Sequence, residues 1–497
     1  MSLYEEYKST LQRITDVNFS AALLSWDQET YMPAGGAELR ARQQATLAGI
    51  SHEMTTSEAL GKLLDQLENE NSLDEKQKAN VQQTLKDYRR AKKYSRAFVE
   101  ELSACISEAF NAWQEAKAKS DFKIFAPKLK KLVELKRKEC ELLGYKEHAL
   151  DALLELHEPG LTTKDVELLY NEVRSELVPF VKNIISKPLH SQDLLHISYD
   201  KGKQWDFSVH ILKQMGFDFN YGRQDISVHP FTINFGAQDV RVTTRIDEFN
   251  LSDCITGTIH EGGHALYEQG LPNSEYGLPS GEAISLGIHE SQSRLWENNV
   301  GRSLSFWKGQ FSELKKSFPE QLKNSTAEDI FSAINVVQPS LIRINADELT
   351  YHFHIMVRFE LEKALFENKI QVEEIPAFWN QRYKDYLGID VPKDSEGCLQ
   401  DVHWSHGSFG YFPTYSLGSF YAAQFFAKAK KDIPTLEKEI ESGNYSSLLK
   451  WLRENIHQYG KRYEAKELCE RVTGEKLNFN YFMEYAKEKY GKLYSDK

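Results

Sequence analysis

The segment Thr258-Ile-His-Glu-Gly-Gly-His-Ala-Leu-Tyr267 constrains this chain more than any other stretch. His260 and His264 are four residues apart. A helix sets two such imidazoles on one face, one turn above the other. Gly262 and Gly263 fall inside that helix, where each costs roughly 1 kcal/mol relative to alanine. A packing reason or close approach by another backbone is therefore expected, and the plainer reading is two glycines in a buried helix crossing. Ser252 or Asp253 can cap the start, and Gly270 followed by Pro272 can end it.

Helical periodicity dominates the rest. Leu3, Tyr4, Tyr7, Leu11 and Ile14 repeat at helical spacing. Residues 74–119 read as one or two long amphipathic helices, 125–143 as another, and 445–459 as a helix stopping at Gly460. The clearest strand signal is at 231–246, where two alternating runs flank Gly236-Ala237, which suggests a hairpin or small sheet just before the histidine motif. No internal repeat, low-complexity tract or long linker interrupts the chain. Breaks near 186–193 and 393–397 do not look like domain linkers. The expectation is one mainly α domain over 1–497, with two lobes at most.

Composition narrows the class. The 497 residues are 41% hydrophobic and 12% aromatic, enough for a sizeable core. Lys+Arg 61 against Asp+Glu 73 gives a net charge of −12, which argues against a nucleic-acid or anionic-membrane partner. The five cysteines are scattered and form no CxxC pair, so free thiols in a reducing compartment are expected. The N-terminal segment lacks the apolar stretch of a signal peptide, and no run of 18 or more apolar residues exists. A soluble cytoplasmic protein is the expectation.

The motif has the pattern of a zinc hydrolase. His260 and His264 supply two ligands, and Glu261 is placed to take a proton from the attacking water. A third ligand is needed, with a fourth position left open. Ile288-His289-Glu290-Ser291-Gln292 lies in the helical stretch 282–299, after a turn containing Pro279 and Gly281. An antiparallel return would bring Glu290 beside His264. His289 is the rival ligand, but it points about 100° away from Glu290 on the same helix. Glu290 is preferred, completing the gluzincin arrangement, and Gln292 is a candidate to support the ligands.

Ordered motifs elsewhere extend the pattern. They are Trp26-Asp27 with Met32-Pro33, His229-Pro230-Phe231, Asp239-Val-Arg241-Val-Thr243, Ile342-Arg343-Ile-Asn-Ala346-Asp347 and Gly397-Cys-Leu-Gln400-Asp401-Val-His403-Trp404. Together with the histidine motif and His289-Glu290-Ser291-Gln292, they resemble the thermostable carboxypeptidase 1 (carboxypeptidase Taq) family of zinc metallocarboxypeptidases over nearly the whole chain. The resemblance implies a mostly helical gluzincin of the neurolysin and angiotensin-converting-enzyme type, with a deep groove and a small sheet beside the metal helix. It implies release of single C-terminal residues with broad preference, one zinc per chain with cobalt as a substitute, and a homodimer.

A carboxypeptidase must recognise a free terminal carboxylate, and an arginine fork does so through two parallel hydrogen bonds. Arg343, the motif arginine of the resemblance, is assigned that role, with Asp347 orienting a neighbour. The plainer reading is an i,i+4 Arg343–Asp347 pair on a solvated helix. The oxyanion needs a donor beside the metal. His403 and Tyr415 are chosen, with His406 and Tyr411 close behind. The strand 239–245 is a candidate to pair with extended substrate, and Arg241 or Arg245 to close the groove. His352 and His354 read as core or hydrogen-bonded histidines. The alternatives are an endo-oligopeptidase or carboxydipeptidase with the same metal site and, more remotely, a non-catalytic zinc-stabilised peptide-binding scaffold.

Overall fold

The computed structural model describes residues 2–495. The chain is mainly helical, with one three-stranded sheet. Its packing divides it into two compact units, one from 1–92, 191–334 and 421–477, the other from 93–190, 335–420 and 478–497. One boundary lies within 186–193, a stretch that does not look like a linker, and another falls inside the helix Pro413–Asp432. Among the described residues, no helix is long and apolar enough to cross a membrane.

The first unit opens with the helix Leu3–Thr30, twice the length suggested by the apolar repeat. Ser2 caps it, accepting from the Glu5 N–H. Its buried Tyr4, Tyr7, Leu11 and Ile14 pack with Leu60, Leu64 and Leu67 of the helix Glu58–Glu68, and with Val81 and Leu85 of the helix Glu75–Ala91. The latter begins with a reciprocal cap, in which Asp74 Oδ1 accepts from Gln77 N–H and Gln77 Oε1 accepts from Asp74 N–H. The expected 74–119 stretch is thus two helices, the second being Arg96–Lys119 with a Ser95 cap.

The sheet holds β1 (Gly222–Ile226), β2 (Thr232–Asn234) and β3 (Val240–Thr244) in the order β1-β3-β2. The expected pair 231–246 is present as antiparallel β2 and β3, with Ile233 opposite Arg241. The parallel β1 strand is additional. It places β3 in the centre with both edges occupied. This corrects the expectation that 239–245 pairs with substrate, because a central strand has no free backbone edge. β1 and β2 are the edge strands.

The helix Leu251–Gly270 carries the two histidines. Asn250 caps it, accepting from Asp253 N–H, in place of the expected Ser252 or Asp253. The two glycines are explained by their neighbours. A Cβ on Gly262 would lie 2.7 Å from Leu212 Cδ2 on the helix Lys201–Met215. A Cβ on Gly263 would lie 2.7 Å from both the Gln292 carbonyl oxygen and Ser293 Cα. Gly263 is the point where the helix Leu286–Arg294 comes closest, backbone against backbone. That helix continues as a π-helical segment over Leu295–Gly301, so the expected 282–299 helix starts later and widens at its end.

The second unit centres on the helix Tyr351–Phe366, where His352, His354, Arg358 and Glu362 are buried among apolar side chains. His352 Nδ1 lies 3.1 Å from Ser416 Oγ, and His354 Nδ1 lies 2.9 Å from Tyr383 OH. Both are hydrogen-bonded core histidines.

Replacing Gly263 by alanine is expected to push the two helices apart. The loss should be about 1–3 kcal/mol of stability, read as a lower thermal midpoint, with weakened metal retention. A variant with unchanged midpoint and metal content would show that the contact is not tight.

Candidate metal centre

His260, His264 and Glu290 each present a donor atom, all within 4.8 Å of one another. Glu290 Oε2 lies 3.8 Å from His260 Nε2 and 3.4 Å from His264 Nε2. The rival, His289, turns away from this corner. Its Nδ1 contacts His264 Nδ1 at 2.5 Å and its Nε2 contacts Glu268 Oε1 at 2.7 Å.

Each ligand is held on its far side. His260 Nδ1 lies 2.8 Å from Glu297 Oε2. Arg294 donates to Glu290 Oε1 at 2.7 Å and to Glu297 Oε2 at 3.2 Å. Arg302 donates to Glu297 Oε1 at 3.1 Å. Glu290, Arg294 and Glu297 succeed one another at single-turn steps, four and then three residues apart. Glu290 therefore keeps one oxygen on Arg294 and offers the other to the corner. Two imidazole nitrogens and one carboxylate oxygen, each fixed from behind, fit a divalent transition metal.

Charge makes the two histidines unequal. Burial pushes the His260 imidazolium down, but Glu290 and Glu297 outweigh it and its pKa is raised. His264 drops to about 3, through burial and the neighbouring His289. Burial pushes the Glu290 and Glu297 carboxyls up, yet Arg294 and the histidines hold both well below the usual carboxylate range.

Glu261 follows His260 and is buried. Thr232, on edge strand β2, donates its hydroxyl to Glu261 Oε2 at 2.6 Å. Burial raises the Glu261 carboxyl, the direction that suits a general base working near neutral pH.

Gln292 supports no ligand directly. Its Oε1 lies 3.0 Å from His457 Nε2 and its Nε2 donates to Ser291 Oγ, so it braces the helix from behind. Arg241 has its fork on Asp239, at 2.9 and 2.8 Å, with its guanidinium over the rings of Trp26 and Phe235. Arg245 pairs with Asp253.

The remaining expected residues belong to the second unit. Arg343 lies in a short 3-10 turn and is 7% exposed. Its Nε and Nη2 both donate to Asp401 Oδ1, at 3.0 and 2.8 Å, and its Nη1 donates to Tyr351 OH at 2.9 Å. The i,i+4 pair with Asp347 does not form, because no helix joins the two positions. Asp347 instead accepts from the backbone N–H groups of Gln338, Leu349 and Thr350 and from the Thr350 hydroxyl, closing the turn before Tyr351. It orients the neighbouring backbone and the Thr350 hydroxyl.

Asp401 Oδ2 accepts from Arg358 at 2.7 and 2.5 Å. Against the upward push of burial, Arg343 and Arg358 hold Asp401 far below the carboxylate range. His403 Nε2 lies 3.2 Å from Tyr415 OH, and its buried Nδ1 has no hydrogen-bond partner among the described residues. Burial, aided by the two arginines, takes His403 down to about 4. Tyr411 packs edge-on against Tyr415 and tilted against His403, whereas His406 lies against Phe110. Glu362 accepts from Trp404 Nε1–H at 2.8 Å and Gly410 N–H at 2.9 Å, fixing the loop that carries these residues, and burial raises its carboxyl to about 7.

Sequence reasoning passed over Glu297, Arg294, Thr232, Asp401, Arg358 and Glu362 as functional residues. The stripe Glu290–Arg294–Glu297 had a readable signal, since three charges share one face of an otherwise buried helix. Replacing Glu297 by glutamine is expected to lower divalent-metal affinity about 10–100-fold, measured by chelator competition. Unchanged affinity would show that His260 needs no carboxylate behind it.

Comparison with known proteins places this geometry. The family model described as carboxypeptidase Taq (M32) metallopeptidase matches residues 6–490. The chain is 41% identical to carboxypeptidase 1 of Bacillus subtilis (strain 168) over 494 residues, 99% of this chain and 98% of that one. It is 41% identical to thermostable carboxypeptidase 1 of Thermus thermophilus over 487 residues, 95% of each. Its fold is similar to the crystal structure of M32 carboxypeptidase from Deinococcus radiodurans R1, with a TM-score of 0.98 at 39% identity over 100% of both chains. Two histidines, a returning glutamate and whole-length similarity agree, and the chain belongs to the carboxypeptidase Taq (M32) family of metallopeptidases.

Proposed function

We propose that this chain removes amino acids singly from peptide C termini, with broad side-chain tolerance, using zinc held by His260, His264 and Glu290. The observation that carries the reading is the convergence of those three donors, within 4.8 Å, beside the buried Glu261. Zinc suits two imidazoles and a carboxylate with a fourth position open, and cobalt accepts the same donor set. Bound there, the ion supplies Lewis acidity to the scissile carbonyl and the attacking water. Glu261, aimed by Thr232, takes the water's proton and returns it to the leaving amine.

Arg343 is proposed to recognise the terminal carboxylate. Asp401 uses a single oxygen on Nε and Nη2, so the substrate must compete for that edge or approach along Nη1. His403 and Tyr415 are proposed to donate to the developing oxyanion. Their mutual hydrogen bond supports a joint role, with Tyr411 and His406 the alternates. A cytoplasmic homodimer, taking neither nucleic acid nor membrane as partner, completes the proposal.

A peptide time course followed by mass spectrometry should give a ladder of products, each one residue shorter at the C terminus. Chelator should abolish it, and C-terminal amidation should slow it strongly. Internal fragments, or equal cleavage of amide and free acid, would sink the exopeptidase reading. Glu261→Gln should lower kcat by roughly 10²–10⁴ with metal still bound. Retained turnover would remove Glu261 from the chemistry.

A further inference from the structure

His289 immediately precedes a ligand, yet both its ring nitrogens point elsewhere. Nδ1 meets His264 Nδ1 at 2.5 Å, and Nε2 meets Glu268 Oε1 at 2.7 Å. Glu268 is buried on the metal helix, one turn beyond His264. Glu268, His289 and His264 thus form a chain of hydrogen bonds ending at the metal corner.

Proton counting fixes the direction of that chain. Two ring nitrogens facing each other require one to carry hydrogen and the other a lone pair. Glu268, when ionised, only accepts, so His289 must present its N–H at Nε2. With a cation on His264 Nε2, His264 carries its hydrogen on Nδ1, so His289 Nδ1 is the acceptor of that contact. A neutral His264 with hydrogen on Nδ1 has its lone pair on Nε2, the nitrogen 3.4 Å from Glu290 Oε2. The opposite direction would put hydrogen on His264 Nε2, where a cation must bind.

We propose that His289 is a positioning residue which, anchored by Glu268, locks His264 into its metal-binding tautomer and strengthens its donation to a divalent cation. The inference rests on the reading of His260, His264 and Glu290 as metal ligands. It makes the two histidine ligands inequivalent. His260 leans directly on Glu297, whose charge is shared with Arg294 and Arg302. His264 leans on the His289 imidazole, which in turn leans on Glu268.

The variants separate the relay from packing. His289→Phe keeps a ring but removes the acceptor. His289→Asn places a carbonyl near the Nδ1 position and restores one. Glu268→Gln keeps size and shape, yet its amide can accept or donate, so the direction of the chain is no longer set. Zinc affinity, measured by chelator competition, should fall about 10–100-fold in His289→Phe, fall less in Glu268→Gln, and recover most of the loss in His289→Asn. In the wild-type zinc protein with ¹⁵N-labelled histidine, long-range ¹H–¹⁵N correlations should show His289 protonated at Nε2 and bare at Nδ1. His289 protonated at Nδ1 overturns the proposal whether or not the variants fold. So does His289→Phe binding zinc as tightly as wild type. Failure of the wild-type protein to bind one zinc would instead overturn the ligand reading beneath it.

Discussion

The backbone contact at Gly263 is the constraint on which the metal corner depends. The helix Leu251–Gly270 can only meet the helix Leu286–Arg294 this closely where one side chain is a hydrogen. That approach lets a glutamate reach the corner, because Glu290 has a short side chain and no slack for a wider gap. Gly262 performs the same service on the opposite side, against Leu212 and Met215. Two residues that weaken a helix locally thus set the spacing of three layers, and tertiary packing offsets what the helix loses.

Close packing has an electrostatic consequence. Each ionised group taken from water costs several kcal/mol unless it is paired, and this corner collects several. Glu261, Glu268, Glu290 and Glu297 are all buried. Arg294 donates to Glu290 and Glu297, and Arg302 to Glu297. The corner holds more carboxyl groups than guanidiniums, an acidic excess that favours a cation. The arginines therefore do more than stabilise carboxylates. They occupy Glu290 Oε1 and leave Oε2, which accepts from Ser293 Oγ at 3.2 Å, facing the two histidines, so that affinity is set by geometry as well as by bulk attraction.

The parts legible in the sequence were those whose partners lie close in the chain or repeat a known spacing. The two histidines, the returning Glu290, the long amphipathic helices and the β2–β3 pair all fall in this class. β1 escaped notice because Gly222-Arg-Gln-Asp-Ile226 has no alternation of apolar residues, and missing it made a central strand look like an available one. Arg343 was visible, but its partner was not. Asp401 lies 58 residues away, and Asp347, four residues away, offered a nearer and incorrect match. His289 was weighed as a ligand because periodicity gives a direction on a helix but not what stands there. The two units were hidden for a related reason, since the chain crosses between them through short turns and, at Phe420 and Tyr421, inside a helix, and leaves no linker composition.

Each unit contains a carboxylate, buried in one and mostly shielded in the other, bridged by two guanidiniums: Glu297 with Arg294 and Arg302, and Asp401 with Arg343 and Arg358. Removing one member of such a set strands a charge, which costs about 3–5 kcal/mol, more than most surface contacts contribute. The consequence is sharpest for Arg343. A change to a neutral residue removes a candidate substrate contact and leaves Asp401 leaning on Arg358 alone. Lost activity in that variant therefore reports binding and stability together. Tyr351 offers a cleaner probe, because its hydroxyl meets the Arg343 Nη1 that Asp401 leaves aside. Replacing Tyr351 by phenylalanine releases that nitrogen without breaking the charge balance, so a change confined to KM would belong to carboxylate recognition alone.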